Sequence, residues 1–332
     1  MARILDHKQH GEEVAGESTS AVIAALFANL AIAITKFIAA FFSGSASMMA
    51  EGFHSLVDTG NQGFLLLGIK RSKQAADDMH PFGYGNELYF WAFVVAILLF
   101  ALGSGFSVYE GVTHILGNEM EEVSDATFPW IPIGVLVAAF AFEGYSWSVA
   151  ARGFNAQRAG GGIFKDIRDL KDPAIFVVLA EDTAACIGIV IAAGGVLLSW
   201  WTGNATFDGI ASILIGVILG VVAALLAVEV KGLLIGEAAS PAITDDIRRR
   251  LLSHPEISGI NELRSLHFGP KDVLVTMSLD FRDDVLAGEI ENIVADLEGD
   301  IRSAHPIVRK LYFEVQSAAD HDRFEASAAI PA

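Results

Sequence analysis

A chain of 332 residues that is 53% apolar and 19% charged, with a mean hydropathy of +0.47, is too apolar for an ordinary soluble protein. Composition excludes a disordered chain and a single soluble enzyme core, and the one cysteine, Cys186, excludes a disulfide scaffold. The formal charge of −18 argues against nucleic acid as a partner, because phosphate binding needs clustered Lys and Arg.

Residues 1–18 read as an acidic tail in which His7 and His10 are solvated. A membrane span needs roughly 20 mostly apolar residues. Six windows qualify, at about 20–42, 47–69, 88–112, 130–152, 174–200 and 208–232, which sets a transmembrane domain over 19–235. The first window is longer than a signal-peptide core and follows an acidic flank, so it is not a cleavable leader. Lys70, Arg71 and Lys73 follow the second span, and Arg152, Arg158, Lys165, Arg168 and Lys171 follow the fourth. The loop between spans three and four is acidic, with Glu119, Glu121, Glu122 and Asp125. The positive-inside rule therefore places both termini in the cytoplasm.

Beyond residue 236 the hydrophobic period changes. A helix is expected over 242–252, with Ile243, Ile247 and Leu251 four apart, then a strand over 257–268. Residues 272–281 alternate, with Val273, Val275, Met277, Leu279 and Phe281 on one face. A second helix over 286–303 and a last strand over 308–316 complete an αββαβ order, which suits a sheet with helices on one side. A unit of this size, 236–317, is small for an independent core and is expected to dimerise. Residues 318–332 are expected to fray as a flexible tail.

Polar groups inside the spans carry the functional signal. An ionisable group at mid-membrane costs about 2.5–3.5 kcal/mol on insertion scales, so each needs a reason. The second span carries Glu51, His54 and Asp58 on one helix face, with Asn61 a further turn on; the fifth carries Glu181 and Asp182. An imidazole with several carboxylates suits Zn²⁺ and accepts Mn²⁺, Fe²⁺, Co²⁺ or Ni²⁺. Metal binding needs neutral His and ionised carboxylates, so loading a cation displaces protons. The bland alternative is interhelical hydrogen bonding, which paired ionisable groups serve poorly. Glu51 lies near a membrane end, where solvation would account for it. Glu143 in the fourth span reads as a relay or a structural partner, Asp208 as a helix-start residue, and Cys186 as packing.

His-Ser-Leu-Val-Asp at 54–58, Ala-Asp-Asp-Met-His-Pro-Phe-Gly-Tyr-Gly at 76–85, the acidic fifth span and the αββαβ tail together resemble the cation diffusion facilitator family of zinc transporters. The stretches at 50–62 and 177–185, with Asp-Pro at 172–173, are similar to its mitochondrial zinc transporter nine branch and bacterial relatives. The resemblance implies six transmembrane helices, a ferredoxin-like cytoplasmic α+β domain, a homodimer in lipid, and exchange of a divalent cation for protons. His54, Asp58 and Asp182 match the family's ligands by position, with no permanently bound cofactor. The other fifth-span ligand falls on Val178, so Glu181, Asn61, Glu51 or water must complete the set. Asp77, Asp78 and His80 resemble a secondary metal site of some relatives, with Tyr84 in place of its second His, and read as loop-ordering. In the tail, Asn261 replaces a relative's ligand, and His267 remains a candidate ligand or a buried strand residue. His254 and His305 read as caps.

The expected function is zinc export from the cytoplasm, in a bacterial inner membrane. Manganese, iron, cobalt or nickel export and a non-transporting scaffold acting through the 236–317 domain are the alternatives. No His-Glu-x-x-His motif or activated nucleophile points to an enzyme.

Overall fold

The computed structural model describes residues 29–117, 128–157, 162 and 171–328. The start of the first expected span, the tail with His7 and His10, the acidic loop with Glu119, and Arg158, Lys165 and Arg168 lie outside them. The chain divides into two compact units: residues 29–68, 91–157 and 173–229, and residues 69–90, 162, 171–172 and 230–328.

Among the described residues, six helices lie wholly or mainly in the first unit: α1 (Asn29–Ser43), α2 (Ala46–Ser72), α3 (Glu87–Gly117), α4 (Trp130–Gln157), α5 (Pro173–Thr202) and α6 (Thr206–Ile235). Four of these, α3 to α6, are long and apolar enough to cross a membrane. Helix α2 has the length, at 27 residues, but its Glu51, His54, Asp58, Asn61, Lys70 and Arg71 lower its apolarity. The described part of α1 is a shorter apolar helix.

α1 and α2 form a helical hairpin. Gly44 ends α1 in the left-handed conformation (φ 63°), its N–H bonded to Ala40 O, as a helix C-terminus favours. At 1.5 Å rise per residue, Lys36 lies about 12 Å from this turn, between Glu51 at about 9 Å and Ser55 at about 15 Å. The hairpin thus brings one buried cation against the polar face of α2.

α3 contains a π-helical turn, Leu99–Ser104, and crosses α6 through small residues. Ser212 Oγ donates to Ser107 O (2.8 Å), and Ser107 Oγ to Gly103 O (2.7 Å). A Cβ on Gly111 would lie 2.5 Å from Gly209 O, so the two backbones meet without side chains between them. α4 packs along α5, where Trp147 Nε1 donates to Thr183 Oγ1 (3.0 Å).

The second unit contains α7 (Pro241–Leu251), β1 (Ile257–Gly269), β2 (Asp272–Phe281), α8 (Ala287–Ala304), β3 (Val308–Val315) and α9 (Ala318–Ala328). The sheet order is β1-β2-β3, antiparallel then parallel. Ser240 precedes α7 with Pro241 in its first turn, where a missing N–H costs nothing. The alternating residues of β2 are all buried, packed with Ile247 and Leu251 of α7 and Leu297 and Ile301 of α8. The αββαβ elements therefore form as the hydrophobic pattern predicts.

Within the stretch expected to fray, residues 318–328 form α9, whose first turn is capped by Ser317 Oγ accepting the N–H of Asp320. In the loop of this unit, Phe82 stacks on Phe268 at 5.1 Å, and the Tyr89 hydroxyl donates to Lys171 O at 3.4 Å. Lys171, itself at φ 53°, places its ammonium on Glu237.

Candidate metal centre

α2 turns its polar face inward. Glu51, His54 and Asn61 are completely buried, and Asp58 is nearly so. His54 Nδ1 stands 3.4 Å from Asp58 Oδ1, one helical turn away, without hydrogen-bond alignment. On α5, Glu181 Oε1 accepts from Asn61 Nδ2 at 2.7 Å, which fixes α5 against α2 at this level. Asp182 Oδ2 accepts from Ser146 Oγ of α4 at 2.8 Å. Glu143, one turn earlier on α4, is also buried, and Asp58 lies within electrostatic range of Glu143, Glu181 and Asp182. Three helices therefore direct carboxylates into one interior region.

Glu51 corrects its sequence reading. It is not solvated at a membrane end; its Oε2 accepts from Lys36 Nζ at 2.9 Å, and both side chains are fully buried. Lys36 also donates to Ser55 Oγ at 2.8 Å. Sequence reasoning missed Lys36 because a single Lys in an apolar window has no visible partner, and the partner lies 15 residues on. It missed Ser146 because serine is common in spans.

Among the described residues, no three His, Cys, Asp or Glu side chains gather closely enough to hold an ion. Three of the carboxylates are drawn to donors of their own, Glu181 to Asn61, Asp182 to Ser146 and Glu51 to Lys36. What remains at the centre is unsatisfied. Glu51 Oε1, both ring nitrogens of His54, Asp58 Oδ1, Asn61 Oδ1 and Gln62 Oε1 are buried without hydrogen-bond partners. Buried polar atoms are normally paired, and this set is the oxygen-and-imidazole donor set that a divalent transition metal takes. Val178, one turn before Asp182, offers no donor.

The remaining candidates lie elsewhere. Asp77 Oδ1 accepts the N–H groups of Met79 (3.0 Å) and His80 (2.7 Å), and its Oδ2 the Tyr84 hydroxyl (2.7 Å), which holds its carboxyl below the usual range. His80 Nδ1 is 3.5 Å from Asp77 Oδ1, and all three side chains serve the turn. Asp208 caps a helix other than its own: Ser47 at the start of α2 donates both its N–H (3.3 Å) and its hydroxyl to it, with Ser45 Oγ at 2.9 Å.

His267 is buried in β1, with Nδ1 3.1 Å from Gly269 O. Burial lowers its pKa from the ordinary value, so the folded state favours the neutral ring. Stability from this group is complete above the unfolded value of about 6.5 and is lost as pH falls through the lowered folded value. Protection factors at β1 and β2, which correct exchange for its intrinsic pH dependence, are therefore expected to fall from neutral pH to about pH 5 more in the wild type than in His267→Gln; an equal fall would remove His267 as the cause.

Glu181→Ala tests its share of the centre. If Glu181 is a direct oxygen ligand, Glu181→Ala weakens metal binding by more than the roughly 10–100-fold that outer partners cost, and if Asn61 acts only by donating to Glu181, Asn61→Ala falls within that range. Unchanged affinity in Glu181→Ala would place the missing donor elsewhere.

The family model for the cation efflux transmembrane domain matches residues 22–235. The mitochondrial proton-coupled zinc antiporter SLC30A9 of Mus musculus is 34% identical over 248 residues, which are 74% of this chain and 43% of that protein. Its counterpart from Homo sapiens matches to the same extent. Metal tolerance protein C4 of Arabidopsis thaliana is 30% identical over 273 residues, 81% of this chain and 58% of its own. The chain thus spans less than half the length of the two mammalian relatives.

Proposed function

The chain belongs to the cation efflux family, also called cation diffusion facilitators, and from that premise we propose that it is a secondary transporter exporting a divalent transition metal, zinc foremost, in exchange for protons. The family is one of transporters, not enzymes. The observation that carries the reading is the buried, unsatisfied donor set along α2, facing Glu181 and Asp182 of α5 inside an apolar bundle. The names of the mammalian relatives, zinc antiporters, and of the plant relative, a metal tolerance protein, support it.

In this reading α1 to α6 are six spans over 19–235, with residues 1–18 and 236–317 in the cytoplasm of a bacterial inner membrane. The 236–317 unit dimerises two copies, and 318–332 follows it. His54, Asp58, Asp182 and Glu181 take the metal. Asn61 and Ser146 hold Glu181 and Asp182 in place, and Glu51, Asp77, His80 and His267 are not primary ligands. Before the metal arrives, protons balance the carboxylates; coordination requires them ionised and His54 neutral, so each metal bound releases protons. The two substrates thereby compete for one set of atoms, which is what couples them.

The test is Zn²⁺ flux through the purified chain in liposomes, with Mn²⁺, Fe²⁺, Co²⁺ and Ni²⁺ as competitors. Flux is expected to slow when the proton gradient is collapsed with an ionophore. Flux at full rate without the gradient would make the protein a uniporter.

A further inference from the structure

Six carboxylates are buried among the described residues of the first unit; Asp208 caps α2, and Lys36 brings a positive charge toward the other five, Glu51, Asp58, Glu143, Glu181 and Asp182. Its ammonium binds Glu51 and Ser55, and its field also reaches His54, Asp58 and Glu143. A buried ion pair is poor glue: an apolar pair of similar volume holds helices as well or better. Inside a membrane such a pair calls for a functional reason.

The geometry supplies one. Glu51 is three residues before His54, on the same face of α2, and its Oε1 is buried and unpartnered beside Gly188 of α5. Without Lys36 it would be a free carboxylate adjoining the His54 and Asp58 donors. The number of oxygens matters for selectivity. Mn²⁺ belongs with the carboxylate-rich, six-coordinate ions, whereas Zn²⁺ is content with four donors that include imidazole.

We infer that Lys36 is a specificity-determining residue that acts through Glu51, withholding one carboxylate from the cation so that the site favours a four-coordinate, imidazole-bound metal over an oxygen-rich one. This rests on the transporter reading above. Lys36 is a positioning residue in this account; it does not touch the metal.

The experiment is titration of the purified, detergent-solubilised chain with Zn²⁺ and with Mn²⁺. The variants are Lys36→Gln, Lys36→Arg, and Lys36→Gln/Glu51→Gln. In Lys36→Gln, Mn²⁺ affinity is expected to rise by about tenfold relative to Zn²⁺, because a charge is removed near the site and a carboxylate released to it. Lys36→Arg, which keeps the charge, should keep the wild-type ratio, and so should the double variant, which has no carboxylate to release. A purely structural Lys36 would weaken both metals together and leave their ratio unmoved. An unmoved ratio in Lys36→Gln, or a raised ratio in the double variant, would overturn the inference. Should Lys36→Gln not insert, Lys36→Met, which keeps the apolar stem and likewise releases Glu51, is expected to raise the Mn²⁺ to Zn²⁺ affinity ratio in the same way, and an unmoved ratio there would overturn the inference. Absence of binding by the wild type would overturn the transporter reading and this inference with it; binding with an unmoved ratio would overturn the inference alone.

Discussion

Asp58→Ala, and separately Asp182→Ala, are expected to abolish metal flux while the protein still inserts and remains monodisperse in detergent. Outer partners of a metal ligand typically cost 10–100-fold when removed, so loss of a ligand itself should exceed about a hundredfold. Asp58 is the stronger case. Its Oδ1 is buried, lies 3.4 Å from His54 Nδ1 and has no hydrogen-bond partner, so the bundle gains little from it as a structural group. Asp182 differs in being held by Ser146 Oγ at 2.8 Å from α4. Ser146→Ala should therefore reproduce part of the Asp182→Ala defect, within the 10–100-fold range, without changing the ligand. Wild-type flux in Asp182→Ala would remove it from the mechanism.

The second large effect is on assembly. Gly111→Val should prevent α3 and α6 from meeting as they do. An added Cβ would lie 2.5 Å from Gly209 O and 2.9 Å from Ile213 N, both backbone atoms, so no flexible side chain can swing away. Overpacking of a core costs about 1–3 kcal/mol, and a clash with fixed backbone belongs at or above the top of that range. The Ser212-to-Ser107 hydrogen bond would be lost with the crossing. The readout is the thermal midpoint of the monodisperse fraction, with Gly134→Val in α4, where a Cβ would meet open space, as the control. Equal midpoints for the two variants would show that the α3–α6 approach is not tight.

What the amino-acid pattern reveals depends on whether the cause is local. β2 was legible residue by residue, because alternation is set by the strand's own period and all five inward residues are buried. The polar face of α2 was legible for the same reason, through the three- and four-residue spacing of Glu51, His54 and Asp58. The partners were not. Lys36 meets Glu51 because a turn at Gly44 folds α1 back on α2, and Asp208 caps α2 because α6 comes beside its start. Both depend on which helices are neighbours, which spacing along one helix does not encode. Glu181 was visible as an acid in an apolar run, but its bond to Asn61 across 120 residues was not. α9 was missed because its cap, Ser317, precedes a sequence without an apolar stripe to mark a helix.

The central claim is that one set of buried donors, shared by α2 and α5, takes the transported cation. Isothermal titration of the purified wild-type chain with Zn²⁺, beside Asp58→Ala/Asp182→Ala, tests it most directly. Saturable binding by the wild type that the double variant loses is the predicted result. Equal binding by both would put the metal outside these helices and contradict the account.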